Sequence, residues 1–87
     1  MYIIQEREFI NSNQSIYKIG ISETINNRMA HYPKGSKIIC IVPVDGDPEV
    51  LCLHKFRTLF ISRKDIGSEY FEGNQDLMVK TLLEICN

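Results

Sequence analysis

No run of apolar residues in this 87-residue chain approaches the roughly 20 that a membrane-spanning helix needs. The chain does not open with a basic stretch followed by a long apolar one, so no secretion signal is read and an intracellular protein is expected. Cysteines are few and odd in number: Cys40, Cys52 and Cys86, with no CxxC pair. That argues against a disulfide framework and against a structural zinc site, and the thiols are expected to act as small buried hydrophobes. Repeats, linkers and low-complexity tracts are missing as well. The length gives room for one domain, residues 1–87, with one modest core.

Net charge is also small, −1, and by itself points to no nucleic-acid partner. Its distribution says more. Residues 1–64 hold nine Lys or Arg against six acids, and residues 65–87 hold one against five. A basic cluster, Lys55, Arg57, Arg63 and Lys64, stands just before the change of sign. Such a cluster can contact phosphates, but charge alone favours a solvated helix face with its following turn.

Periodicity and turn chemistry give the elements. Tyr2-Ile3-Ile4-Gln5 and Ile16 to Ile21 read as strands around the polar residues 11–15, an antiparallel hairpin. Ser22 and Glu23 suit a helix start, with Ile25 and Met29 on one face, and Pro33 stops the helix by Tyr32. The β-branched run Lys37 to Val42 predicts a third, central strand. Asp47-Pro48-Glu49 starts a helix that runs to about Phe60, with Asp47 as cap and Pro48 at the first helical position. Residues 61–73 are turn-like, with Ser68 to Phe71 a short extended piece, and Asn74 caps a last helix. The predicted order is β-β-α-β-α-α. It describes an α/β fold of the α+β sandwich kind, in which helices flank a three-stranded antiparallel sheet.

These motifs, in this order, resemble the GIY-YIG nuclease superfamily, most closely the branch of phages and large DNA viruses whose second motif reads YKIG. The likeness spans about residues 1–72. Met1-Tyr2-Ile3 stands for the first signature, with its glycine position falling before residue 1. Lys18-Ile19-Gly20 is the second, with Arg28 eight residues after Gly20. Glu49, followed by Leu53-His54 and Phe56, is the third, and Gly67-Ser68-Glu69-Tyr70-Phe71 matches the closing motif.

The resemblance implies a metal-dependent endonuclease that hydrolyses phosphodiester bonds in DNA with Mg²⁺ or Mn²⁺. Glu49 would be the metal ligand, because Mg²⁺ needs only one or two protein carboxylates. Arg28 would clamp the phosphate with its forked donors. Tyr2 would orient or deprotonate the attacking water. A phenol titrates near 10 and needs positive charge beside it to do so. Here the chain departs from the majority pattern, since Lys18 holds the place of the second motif's tyrosine. Tyr17 is its neighbour, but strand neighbours point to opposite faces. Lys18 is therefore expected in the cleft and Tyr17 away from it. Tyr32 and His31 follow Arg28 by four and three residues, so either can share its helix face, and Tyr32 keeps the family spacing. His54 and Glu69 are additional candidates of lower rank. A nucleic-acid-binding module with the same fold and no turnover is the alternative. DNA is the expected partner, a homodimer is expected on it, and no membrane is expected.

Overall fold

The computed structural model describes residues 1–21, 29–44, 46 and 48–86. The helix start expected at Ser22 and Glu23, and Arg28 with it, lie outside the described residues, as do Asp45 and Asp47.

Strand β1 (Tyr2–Gln5) is followed by a short helix α1 (Arg7–Asn11) and strand β2 (Ile16–Gly20). A 3₁₀ turn (Met29–His31) precedes β3 (Lys37–Ile41). Helix α2 (Glu49–Leu59), strands β4 (Ile61–Ser62) and β5 (Tyr70–Glu72), and helix α3 (Gln75–Cys86) complete the described elements. The sheet has five strands in the order β3-β1-β2-β5-β4, all pairs antiparallel.

Three expectations are corrected here. The sheet has five strands among the described residues and not three, because β2 needs a partner for its second row of backbone N–H and C=O groups. The extended piece after Ser68 supplies that partner, pairing Tyr17 with Phe71 and Lys18 with Tyr70. Strand β3 lies at an edge and not in the centre, although its middle residues are partly buried. Pro48 stands at the N-cap of helix α2 and not at its first helical position, and Asp47 lies outside the described residues. The Pro48 carbonyl accepts from the Cys52 N–H at 2.9 Å, which makes Glu49 the first helical residue. Proline loses nothing there, since its missing N–H has no helical partner at that position. At the other end of the chain, the Asn74 side chain accepts from the Leu77 N–H at 2.9 Å, the cap expected for α3.

Residue alternation divides the sheet into two faces. Ile3, Tyr17, Ile19 and Phe71 point to one, where Cys52 and Phe56 of α2 and Met78 and Leu82 of α3 cover them. Phe56 meets Phe60 at 5.0 Å and Phe71 at 5.5 Å between ring centroids. Full burial of such side chains contributes about 1.5–3 kcal/mol each, so this layer holds the sheet and helices together. The opposite face carries Tyr2, Ile4, Lys18, Gly20 and Tyr70. There α1 adds Phe9, its one buried residue, edge-on to Tyr70 at 6.4 Å. The chain leaves α1 through Asn13 in the left-handed region (φ 56°), which asparagine tolerates better than most residues.

Candidate active site

Cross-strand register assembles the site. Tyr2 lies opposite Gly20, Ile4 opposite Lys18, and Lys18 opposite Tyr70. With its ring over Gly20, Tyr2 is almost wholly buried. A cleft of about 340 Å³ opens beside it, lined by Tyr2, Lys18, Gly20, Ile21, Glu49 and Glu69. Its chemistry-bearing residues come from four places in the chain: β1, β2, the first turn of α2 and the segment before β5. The last of these is fixed by the sheet, because the Glu69 carbonyl accepts from the Ile19 N–H at 3.0 Å.

A second pocket, of about 300 Å³, adjoins through Lys18 and is lined also by Glu6, His31, Tyr32, Pro33 and Tyr70. The Lys18 ammonium stands 5.1 Å from the centre of the Tyr32 ring and 5.8 Å from that of Tyr70, within cation–π range of both. The Tyr70 hydroxyl donates to Glu6 Oε2. Burial, and then that bond to a carboxylate, push the Tyr70 phenol well above its ordinary value. The Tyr2 and Tyr32 hydroxyl oxygens are 3.5 Å apart, at the outer limit of a hydrogen bond.

The sequence candidates separate accordingly. Tyr2, Lys18, Glu49 and Glu69 share the first cleft, and His31 and Tyr32 share the second pocket with Lys18. Tyr17 points to the helix-covered face, where its hydroxyl donates to Gln75 Oε1 at 3.1 Å and burial raises its pKa. His54 is exposed on α2 and lines neither pocket. Of the basic cluster, Lys55, Arg57 and Lys64 are exposed. Arg63 is engaged instead with Asp65 and Glu72, 2.8 Å from each, and those bonds raise its own pKa and lower that of Asp65. A guanidinium bonded to two carboxylates has fewer donors left for a phosphate than the exposed Lys55, Arg57 and Lys64. Two residues that sequence reasoning missed are Glu6 and Tyr70. Once β5 is paired with β2, alternation alone puts Tyr70 beside Lys18. Glu6 gives no such signal.

No family model, curated protein or solved structure matches this chain. Among the described residues no set of three or more His, Cys, Asp or Glu side chains is placed to hold a metal, so a closed site of three such ligands is not built from them. The first cleft offers a different donor set: two carboxylates and a phenol, all oxygen. That set fits a hard divalent cation, which takes one or two protein carboxylates and completes its shell with water. The ammonium of Lys18, in the same cleft, fits an anionic group beside such a cation.

Proposed function

We propose that the chain is a GIY-YIG-type endonuclease that hydrolyses phosphodiester bonds in DNA with a divalent cation, Mg²⁺ or Mn²⁺. The observation that carries this reading is the meeting of Tyr2, Lys18, Glu49 and Glu69 in one cleft from four separate parts of the chain. Hydrolysis adds water across a P–O bond. The water oxygen bonds to phosphorus, the P–O bond to one strand end breaks, one water proton leaves, and the departing oxygen gains a proton. When bound, a hard cation supplies charge stabilisation at the phosphoryl and departing oxygens.

The residues divide the remaining work. Glu49 and Glu69 would hold the cation. Lys18, fixed between the Tyr32 and Tyr70 rings, faces the negative charge that builds on phosphate. Tyr2 orients the water and takes its proton as its own hydroxyl proton passes toward the Tyr32 oxygen, which hands a proton on to solvent. Arg28, outside the described residues, has its role as phosphate clamp on the resemblance alone. A second copy of the chain would enlarge the DNA-facing surface, and sedimentation with and without DNA tests that part of the reading.

The decisive experiment is plasmid nicking by the purified protein with Mg²⁺ or Mn²⁺ and with a chelator. Wild type should nick only with metal. Glu49→Gln keeps the size of the side chain and removes the charge a hard cation needs. It should fold normally by circular dichroism, retain DNA and lose cleavage by orders of magnitude. A folded Glu49→Gln protein that cuts near the wild-type rate overturns the metal assignment. A wild type that binds DNA and never cuts it supports the binding-module alternative.

A further inference from the structure

The hydrolytic reading uses Lys18, Tyr32 and the Tyr70 ring of the second pocket and leaves its Glu6 carboxylate without a part. Glu6 forms part of its lining, is nine-tenths buried, and accepts from the Tyr70 hydroxyl. Lys18 lines the same pocket. Among the described residues neither takes part in an ion pair, since the only salt bridges are those of Arg63. A buried carboxylate held by one hydrogen bond and a half-buried ammonium thus face one pocket without pairing with each other, which leaves both able to meet a ligand. The walls between them are the rings of Tyr32 and Tyr70, Pro33 and the exposed His31. Tyr70 cannot drift from this place. A Cβ on Gly67 would lie 2.8 Å from its ring, Phe9 meets its edge, and Glu6 holds its hydroxyl.

We infer that this pocket receives one unpaired nucleobase of the DNA strand whose backbone occupies the neighbouring cleft. The inference rests on the proposed hydrolytic reading for the position of that backbone. A base edge carries donors and acceptors side by side: amino hydrogens suit the Glu6 carboxylate, and carbonyl or ring-nitrogen acceptors suit Lys18. A second phosphate fits poorly, because Glu6 repels it. Lys18 is the wall common to both pockets, so one ammonium touches the phosphate on one side and its adjoining nucleoside on the other. A base edge inside a duplex cannot enter a concave pocket, so the favoured substrate is DNA with an unpaired nucleotide beside the cut.

The test separates base recognition from backbone flexibility. Fluorescence anisotropy with a chelator present compares a duplex carrying a one-nucleotide bulge with the same duplex carrying an abasic bulge. Wild type should bind the base-bearing bulge about 10-fold more tightly or better. Glu6→Gln and Tyr70→Phe, each checked for folding, should each reduce that ratio several-fold. Tyr70→Phe keeps the ring and removes only the hydrogen bond to Glu6. Equal affinity of wild type for the two bulges overturns the inference whatever the variants do. Cleavage with Mg²⁺ is scored separately on both substrates. Discrimination without cutting supports the base pocket and sinks the nuclease reading. Cutting without discrimination in binding does the reverse.

Discussion

The phenol ring of Tyr2 occupies the space a side chain on Gly20 would need. The two residues are partners across the β1–β2 ladder, and a Cβ on Gly20 would fall 2.5 Å from the Tyr2 Cζ. Backbone conformation is not what demands glycine here, since Gly20 is not in the left-handed region. The demand is for room. Gly20→Ala should therefore displace Tyr2 at a cost of about 1–3 kcal/mol, the usual range for overpacking a tight site. A urea melt reads the stability. Under the proposed reading, nicking should fall more than the lost stability explains, because Tyr2 is the group assigned there to orient water. Unchanged stability would show that the ring has somewhere else to go.

Lys18→Met keeps the length of the side chain and removes its charge. Cleavage should fall by about 10²–10³-fold, the usual loss for one preorganised charge-stabilising donor. The slope of log affinity against log salt should flatten by about 0.9 for duplex DNA, the share of one phosphate contact. An unaltered salt slope would remove Lys18 from the DNA interface.

Glu69 ranks below Glu49 on sequence, yet both line the cleft. Glu69→Gln should raise the Mg²⁺ concentration for half-maximal nicking on the order of 10-fold, because affinity for hard cations follows the charge of the ligand set. The maximal rate should change less than in Glu49→Gln. A metal titration that superimposes on wild type would return Glu69 to a purely structural part.

Much of the fold was legible in the residues, and for identifiable reasons. The strands around Ile3, Ile19 and Ile39 carry β-branched runs. Helices α2 and α3 carry helical spacing together with Pro48 and Asn74 at their starts. What stayed hidden is short. Helix α1 is one turn with one buried residue, Phe9, too few positions to show a period. Strand β4 has two residues and exists through pairing, so no local pattern marks it, while β5 lies in the extended piece read at Ser68 to Phe71 and only its pairing with β2 and β4 was hidden. The edge position of β3 was hidden for another reason. An apolar run looks the same in sequence whether neighbouring strands or helices cover it. In the site, alternation separated Lys18 from Tyr17 before any contact was known. Glu6 was invisible because its partner, Tyr70, is 64 residues away.

Asn74 offers a simple check on the last helix. Its side chain satisfies the Leu77 N–H, and Asn74→Ala should cost about 1 kcal/mol, within the range for a lost N-cap. Nicking at a temperature well below the melt should be unaffected, since α3 contributes nothing to the cleft. A loss of activity without a loss of stability would contradict that separation.

Stability should fall in alkali. Burial, with Cys86 nearby, pushes the Cys52 thiol from 9.0 to about 12, and burial likewise raises Tyr70 and Tyr17. Each is an acid kept neutral in the fold at a pH where the unfolded chain ionises it. Above the ordinary thiol value the unfolded state binds fewer protons than the folded one, so unfolding becomes easier as pH rises. The contribution of Cys52 is intact below 9.0 and is lost progressively toward about 12. Urea midpoints measured at intervals across that window check the direction. Cys52→Ala, which cannot ionise, should flatten the decline, and a decline of equal steepness would remove Cys52 from it.

The strand order also has a consequence for how the protein is made. Strand β1 pairs with β2 and β3, so three strands can assemble once the first half of the chain has emerged. Glu69, Tyr70 and the β5 strand that completes β2 come from its last quarter. Synthesis runs from the N-terminus, and pairings distant in sequence form slowly. A nascent chain therefore holds Tyr2, Lys18 and Glu49 before it holds the wall that encloses Lys18. Under the proposed reading, the capacity to cut arrives only after Glu69, Tyr70 and β5 have emerged. A chain released before residue 69 would hold β1, β2 and β3 and every lining residue of the cleft but Glu69, and on that reading would leave nucleic acid intact.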